Sequence, residues 1–232
     1  MFTVALIGPD GAGKTTIGRR LEQTLPVPVK NLYMGVNLDS SDHMLPTTRL
    51  FHATRRLLGA KPDAAGPPDP DRMEPRRSGI VRRVIFGFKS NLYLFIQVSE
   101  EWWRQGLSWY YRHQGGHIVL FDRHFFCDYY TYDIAPGEKK RPLRRRVHGL
   151  MLERVYPKPD LVIYMDAPAE VLFARKGEGT LKVLERRRQD YLRMRAVVKN
   201  FAVVDASKPE DEVVSDVTKL IMEFYRKRSS SR

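Results

Sequence analysis

Five short apolar runs punctuate the chain: residues 2–7, 29–34, 117–122, 161–165 and 201–205. Each is too short for a stable helix and is bounded by Gly, Pro, Asn or Asp, which predicts buried strands. Between them, apolar residues recur at helical spacing. Ile17, Leu21 and Leu25 share one face of a helix behind the first strand, and Val213, Val217, Leu220, Ile221 and Phe224 share one face of the last. Residues 45–58 read as a short helix with Arg49, Arg55 and Arg56 on its polar side. Residues 84–113 read as one long helix or two, with Gly106 as a break. Residues 147–155 read as a helix stopped at Tyr156-Pro157, and 170–175 and 181–194 as two more. Strands alternating with helices place the chain in the α/β class.

The pattern fades over 59–79, which holds Pro62, Pro67, Pro68, Pro70 and Pro75 and almost no large apolar residues. No second core flanks this stretch. It therefore reads as a flexible insertion in a single domain spanning 1–232, not as a linker. A stripe of Leu92, Phe95, Ile96, Ser99, Trp102, Trp103 and Leu107 reads as core or subunit interface. The same window contains Lys89, Glu100, Glu101 and Arg104, so it lacks the roughly 18 uninterrupted apolar residues of a membrane span. The basic, serine-containing end, 226–232, reads as frayed.

Where the first strand turns into its helix, the sequence is Gly8-Pro9-Asp10-Gly11-Ala12-Gly13-Lys14-Thr15-Thr16. This is a complete G-x-x-x-x-G-K-[ST] motif in the strand-to-helix context it requires. Backbone N–H groups at the helix N-terminus would cradle a polyphosphate, and glycines let the backbone approach it. Lys14 would reach the β- and γ-phosphates, and the Thr15 hydroxyl would ligate Mg²⁺. The third run ends in Asp122, a second candidate for the metal, followed by Arg123, which would reach the phosphates. Polar residues Asn37, Asp39, Ser40, Ser41, Asp42 and His43 follow the second run and would sit near the same site.

Composition agrees with an anionic ligand. Lys and Arg number 40 against 27 Asp and Glu, a formal net charge of +13. Nucleotides, sugar phosphates, nucleic acid or an acidic surface would all satisfy that charge. Most of the six basic residues within 139–146 read as a solvated helix face. The single cysteine, Cys127, excludes an internal disulfide and reads as a packed small residue; with no signal-peptide pattern at the start, a cytoplasmic location is expected.

Taken together, these motifs resemble the thymidylate kinase family. The residues that carry the resemblance are the phosphate loop with Asp10, Asp122-Arg123-His124 at a strand end, and Pro159-Asp160 through Asp166-x-Pro168 with a helix ending at Arg175. Tyr191-Leu192 and Val204-Asp205-Ala206-Ser207 add to it. The resemblance implies a P-loop fold with a five-stranded parallel sheet, helices on both faces, a mobile lid over 175–188 and a homodimer. It implies ATP and Mg²⁺ as cofactors and a nucleoside monophosphate as acceptor. Gly8, Gly11, Ala12, Gly13, Lys14, Thr15 and Thr16 would bind the phosphates, and Ala206 and Ser207 would border the adenine. Asp10 would lie near the acceptor and the phosphates, Arg123 would bind the acceptor phosphate or bridge the transferring group, and Arg175, with one of Arg186, Arg187 and Arg188, would clamp the γ-phosphoryl group. Two family features are absent. Ser99 stands where the L-F-x-A-x-R motif has its arginine, and Met34-Gly35-Val36-Asn37 replaces the R-x-P-G loop. Both changes fall in the acceptor half. Two alternatives therefore stay open: a kinase of the same fold acting on a sugar, sugar phosphate or nucleoside, and an ATPase that binds nucleic acid. Only the net charge supports the second. If the acceptor is a hydroxyl, Asp10 is the first choice of general base, with Asp128 behind it.

Overall fold

The computed structural model describes residues 1–35, 43–57, 80–135, 141–177 and 179–230, with 51, 52, 55, 56 and 80–90 described as backbone only. The 59–79 insertion and the candidates Asn37, Asp39, Ser40, Ser41 and Asp42 lie outside them. Five strands form one sheet: β1 (Thr3–Ile7), β2 (Val29–Tyr33), β3 (Ile118–Asp122), β4 (Leu161–Asp166) and β5 (Phe201–Asp205). All neighbours pair parallel, in the order β2-β3-β1-β4-β5. The helices are α1 (Lys14–Thr24), α2 (Pro46–Leu57), α3 (Ile80–His113), α4 (Phe125–Tyr129), α5 (Leu143–Arg154), α6 (Ala169–Lys176), α7 (Leu181–Arg193) and α8 (Glu210–Ser230).

Alternate residues along each strand face opposite layers, as a two-period side-chain pattern dictates. Val4, Leu6, Leu120 and Ile163 meet Ile17 and Leu21 of α1 and Val217 and Ile221 of α8. Ala5, Ile7, Phe121 and Tyr164 meet Phe125 and Phe126 of α4, Leu152 of α5 and Tyr191 of α7. The carboxyl ends of the strands thus share one edge, where ligands of open α/β sheets collect.

Three expectations need correction. First, α3 is a single helix of 34 residues, so Gly106 does not break it; an interior glycine costs only about 1 kcal/mol relative to alanine, and long flanks absorb that. Its apolar stripe is largely exposed, which removes the core reading and leaves that of a subunit interface. Glu100, Glu101, Arg104 and Ser108 are buried, whereas Phe95 is 69% and Trp109 53% exposed. The polar face turns inward because it finds polar partners there: Leu45 N–H donates to Glu100 at 2.7 Å, and Arg104 donates to the Gly35 carbonyl at 3.2 Å. Second, residues 226–230 belong to α8, where Arg228 pairs with Asp160 at 2.7 Å. Third, Arg141 does not lie on a solvated helix face. It donates to the carbonyls of Thr131, Asp133 and Ala135, stapling the π-helical turn Tyr130–Ile134 that continues α4.

Candidate active site

The loop between β1 and α1 is shaped by its glycines. Gly11 has φ +88°, and a Cβ on it would lie 2.7 Å from the Leu172 carbonyl oxygen. Gly13 caps α1 at φ +80°, and a Cβ there would meet nothing within 4 Å. The space above the first N–H groups of α1 is therefore open, as an anion cradle requires. The Lys14 ammonium donates to the carbonyls of Gly8 at 2.8 Å and Pro9 at 2.7 Å. Burial and the neighbouring Arg123 pull its pKa below the usual lysine range, against the opposing pull of Asp10 and Asp122.

Asp122 arrives from the end of β3, next to β1 in the sheet. Its Oδ2 accepts from the Thr15 hydroxyl at 2.5 Å, and its Oδ1 is buried with no hydrogen-bond partner. A buried orphan oxygen costs about 1–3 kcal/mol. A hydroxyl and a carboxylate with a spare oxygen are hard donors suited to Mg²⁺. Among the described residues no cluster of three or more His, Cys, Asp or Glu could hold a metal, so a Mg²⁺ ion here would complete its shell with water and phosphate oxygens.

Arg123 follows directly, with φ +69°, the only positive φ outside glycine among the described residues. This left-handed turn ends the strand and sends the side chain across to Asp10, whose carboxylate accepts from Nη2. Lys176 at 3.5 Å and Arg187 at 3.2 Å reach the same carboxylate from α6 and α7. Burial alone would raise the Asp10 pKa, but Arg123, Lys14, Lys176 and Arg187 overcome it and hold the group far below the usual carboxylate range. The site thus gathers four cations from four elements around one anion.

The comparisons fit this geometry. The chain is 34% identical over 125 residues to the "Probable thymidylate kinase" of Archaeoglobus fulgidus and 31% identical over 121 residues to the "Probable thymidylate kinase 1" of Saccharolobus solfataricus. The matches cover 51% and 50% of this chain, and the chain spans 60% of the length of each relative. No protein-family model matches. Over the matched half, the chain is similar to these two probable thymidylate kinases.

The structure sorts the candidate arginines. Arg175 does not reach the Asp10 cluster. It donates to the Ala206 carbonyl at 2.8 Å and the Ser207 carbonyl at 3.5 Å. With Ala12, Thr16, Ile17, Met165 and Ala206 it lines a cleft of about 260 Å³ beside the phosphate loop. Ser207 itself turns back on Asp205, donating its N–H at 2.9 Å and its hydroxyl at 2.5 Å. Arg188 is committed to both oxygens of Asp166, at 2.8 and 2.9 Å. Arg187 is the one of this basic run that meets Asp10. Lys176 and Arg104 are site residues that the sequence reading missed. A charged i, i+4 pair, Glu100 and Arg104, inside an otherwise aromatic helix was the available signal.

A further wall of the site lies at the end of β2. Arg104 Nη1 donates to the carbonyls of Tyr33 at 3.4 Å and Gly35 at 3.2 Å, and its guanidinium lies 5.5 Å from the Phe125 ring centre. Asp128 of α4 accepts from the Tyr191 hydroxyl at 2.9 Å. Burial raises its pKa against the pull of Arg123. Two neighbours are inert. Burial drives His124 down to about 3, leaving it neutral, and pushes the Cys127 thiol well above its ordinary value, so Cys127 is packing and not a nucleophile. Ser99 bonds only back to Phe95 O at 2.8 Å among the described residues, on the exposed face of α3.

Proposed function

We propose that the protein is an ATP-dependent phosphotransferase that moves the γ-phosphoryl group of Mg-ATP to a small acceptor, as thymidylate kinases do. The observation that carries this reading is the 2.5 Å contact of Thr15 with Asp122 beside Lys14 and Arg123. A hydroxyl, a carboxylate and two cations gathered there suit a nucleoside triphosphate and its metal. Phosphoryl transfer needs positioning and charge neutralisation more than covalent chemistry. Adenine would enter the cleft between Ile17, Met165 and Ala206, with the Arg175 guanidinium against it and Ser207 at its border. The N–H groups from Gly11 to Thr16 would hold the phosphates, and Lys14 would exchange its two carbonyls for phosphate oxygens. Thr15 and Asp122 would hold Mg²⁺, which on binding would offset charge on the β- and γ-phosphates. Arg123 and Arg187, joined at Asp10, would converge on the transferring group, with Lys176 beside them; Arg187 is the member of the 186–188 run that fits the clamping role.

The acceptor that the relatives' names point to is dTMP. The second reading, another acceptor, draws support from Ser99, which offers no cation to a base. Incubating the protein with Mg-ATP and a panel of nucleoside monophosphates, nucleosides, sugars and sugar phosphates, and measuring ADP, tests both. Release with dTMP far above the rest selects the first, and no acceptor-dependent ADP from any of them would overturn the kinase reading. Among the described residues no helix is long and apolar enough to cross a membrane. We also propose a cytoplasmic location, on the ground of one buried, unpaired cysteine.

A further inference from the structure

We propose that Arg188 and Asp166 form a positioning pair: the grip of Arg188 on Asp166 sets α7 so that Arg187, and neither neighbour in its run, meets Asp10. This rests on the kinase reading and names what orients the clamping guanidinium.

Arg186, Arg187 and Arg188 are three identical side chains in a row on α7. Successive helical residues point about 100° apart, so only one of them can face Asp10 at a time. Nothing in the arginine itself favours the middle one. The choice falls to the contacts beside it. Arg188 donates from Nε to Asp166 Oδ1 at 2.8 Å and from Nη2 to Oδ2 at 2.9 Å. Two parallel bonds from a planar fork fix direction as well as distance. Asp166 is itself held: it ends β4, and its Oδ1 also accepts from the Tyr164 hydroxyl at 2.8 Å. The remaining Arg188 nitrogen, Nη1, donates to Glu185, one turn back on α7, at 2.7 Å. With Arg188 fixed in this way, the adjacent Arg187 reaches Asp10 with its Nη1 at 3.2 Å.

A second anchor lies one turn further on. The Tyr191 ring stacks on Tyr164, with 5.9 Å between centres, and its hydroxyl donates to Asp128 at 2.9 Å. Together the two anchors exclude both ways in which α7 could slip by one residue. Bringing Arg188 to Asp10 would bring Gln189 to Asp166, a neutral amide in place of an ion pair, and Leu192 to Asp128. Bringing Arg186 to Asp10 would still give Asp166 an arginine. It would, however, set Asp190 against Asp128, carboxylate against carboxylate. Of the three registers, only the observed one satisfies Asp10, Asp166 and Asp128 at once. Arg188 is therefore a positioning residue that acts through Arg187.

The test is a double-mutant cycle on the full chain, with Mg-ATP and the acceptor from the panel above that releases ADP. Asp166→Asn and Arg188→Gln each break the fork. Their side chains are 23% and 19% exposed, so water reaches the group left behind and the melting temperature should stay above that of the assay. Each substitution is expected to lower kcat by about 10²-fold, the scale of an ångström-sized misplacement. KM for ATP should be unchanged, because the phosphate loop is untouched. In an Arg187→Ala background the same substitutions should lower kcat by about twofold or less, because the group that they orient is gone. Wild-type kcat in both fork variants, or an equal fall with and without Arg187, would overturn this inference and leave the kinase reading standing. So would a fall in kcat that only follows the loss of folded protein. Failure of every acceptor to release ADP would overturn the kinase reading and this inference with it.

Discussion

Lys14 donates to two backbone carbonyls of its own loop, so its charge lies where a triphosphate would recruit it. Replacing it with alanine removes no contact between elements. We expect Lys14→Ala to lose at least about three orders of magnitude in kcat/KM, roughly the size attributed to one lost charge-stabilising group, with a melting temperature close to wild type. Full activity in that variant would end the assignment of the phosphate loop. His148 gives a second prediction at this scale. Its Nδ1 lies 2.6 Å from Asp133 and its Nε2 3.1 Å from Glu101, with Gln97 at 3.2 Å and the Tyr129 ring packed edge-on at 4.9 Å. Burial pulls the imidazole down, but the hydrogen bonds that it donates to Asp133 and Glu101 prevail and raise its pKa from 6.5 to about 9. A raised folded value means that the stabilisation is complete below pH 6.5 and fades as the pH rises through about 9. The urea midpoint should fall across that interval, and His148→Gln should flatten the slope while costing about 3–5 kcal/mol, because two buried carboxylates lose their counter-charge.

At the scale of elements, α4, the π-helical turn after it and α5 lock together beside the site. The π-helical turn Tyr130–Ile134 re-aims the chain after α4, and α5 packs on it so closely that a Cβ at Gly149 would lie 2.2 Å from the Asp133 carbonyl oxygen. That backbone cannot yield as a flexible side chain would. Gly149→Ala should therefore lower stability by about 1–3 kcal/mol, read as a shift in the denaturant midpoint without change in its slope. The strands and most helices were legible because their periodicity is strong: β5 spans 201–205 as expected, and α1, α6 and α7 fall within a residue or two of expectation. Helix α3 was legible as a helix but not in its orientation. Its aromatic stripe has the spacing of a core face, yet tertiary contacts with β2 and α5 hand the inside to Glu100, Glu101 and Arg104. A pattern read along one helix carries no information on whether polar partners wait on the other side.

At the scale of the molecule, α3 presents Phe95, Trp102, Trp103, Trp109 and Tyr110 to solvent, each at least 40% exposed. Apolar surface of this kind on a single helix needs a cover. Because the thymidylate kinase resemblance implies a homodimer, we propose that the cover is a second copy of the chain. Sedimentation should give twice the chain mass, and Trp103→Glu combined with Phe95→Glu should shift the protein to the monomer; a wild-type monomer at tens of micromolar would refute this. The fold class, the phosphate loop and the Asp122-Arg123 pair are local: a strand, a glycine turn and a helix start define each within a few residues, so the sequence by itself determined them. The choice among Arg175, Arg187 and Arg188, the commitment of Asp10 to three cations and the grip of Arg188 on Asp166 depend on elements far apart in the chain meeting at the carboxyl edge of the sheet. Only the tertiary structure decided those, because a side chain's partner is set by where neighbouring strands and helices deliver it, and no periodicity encodes that.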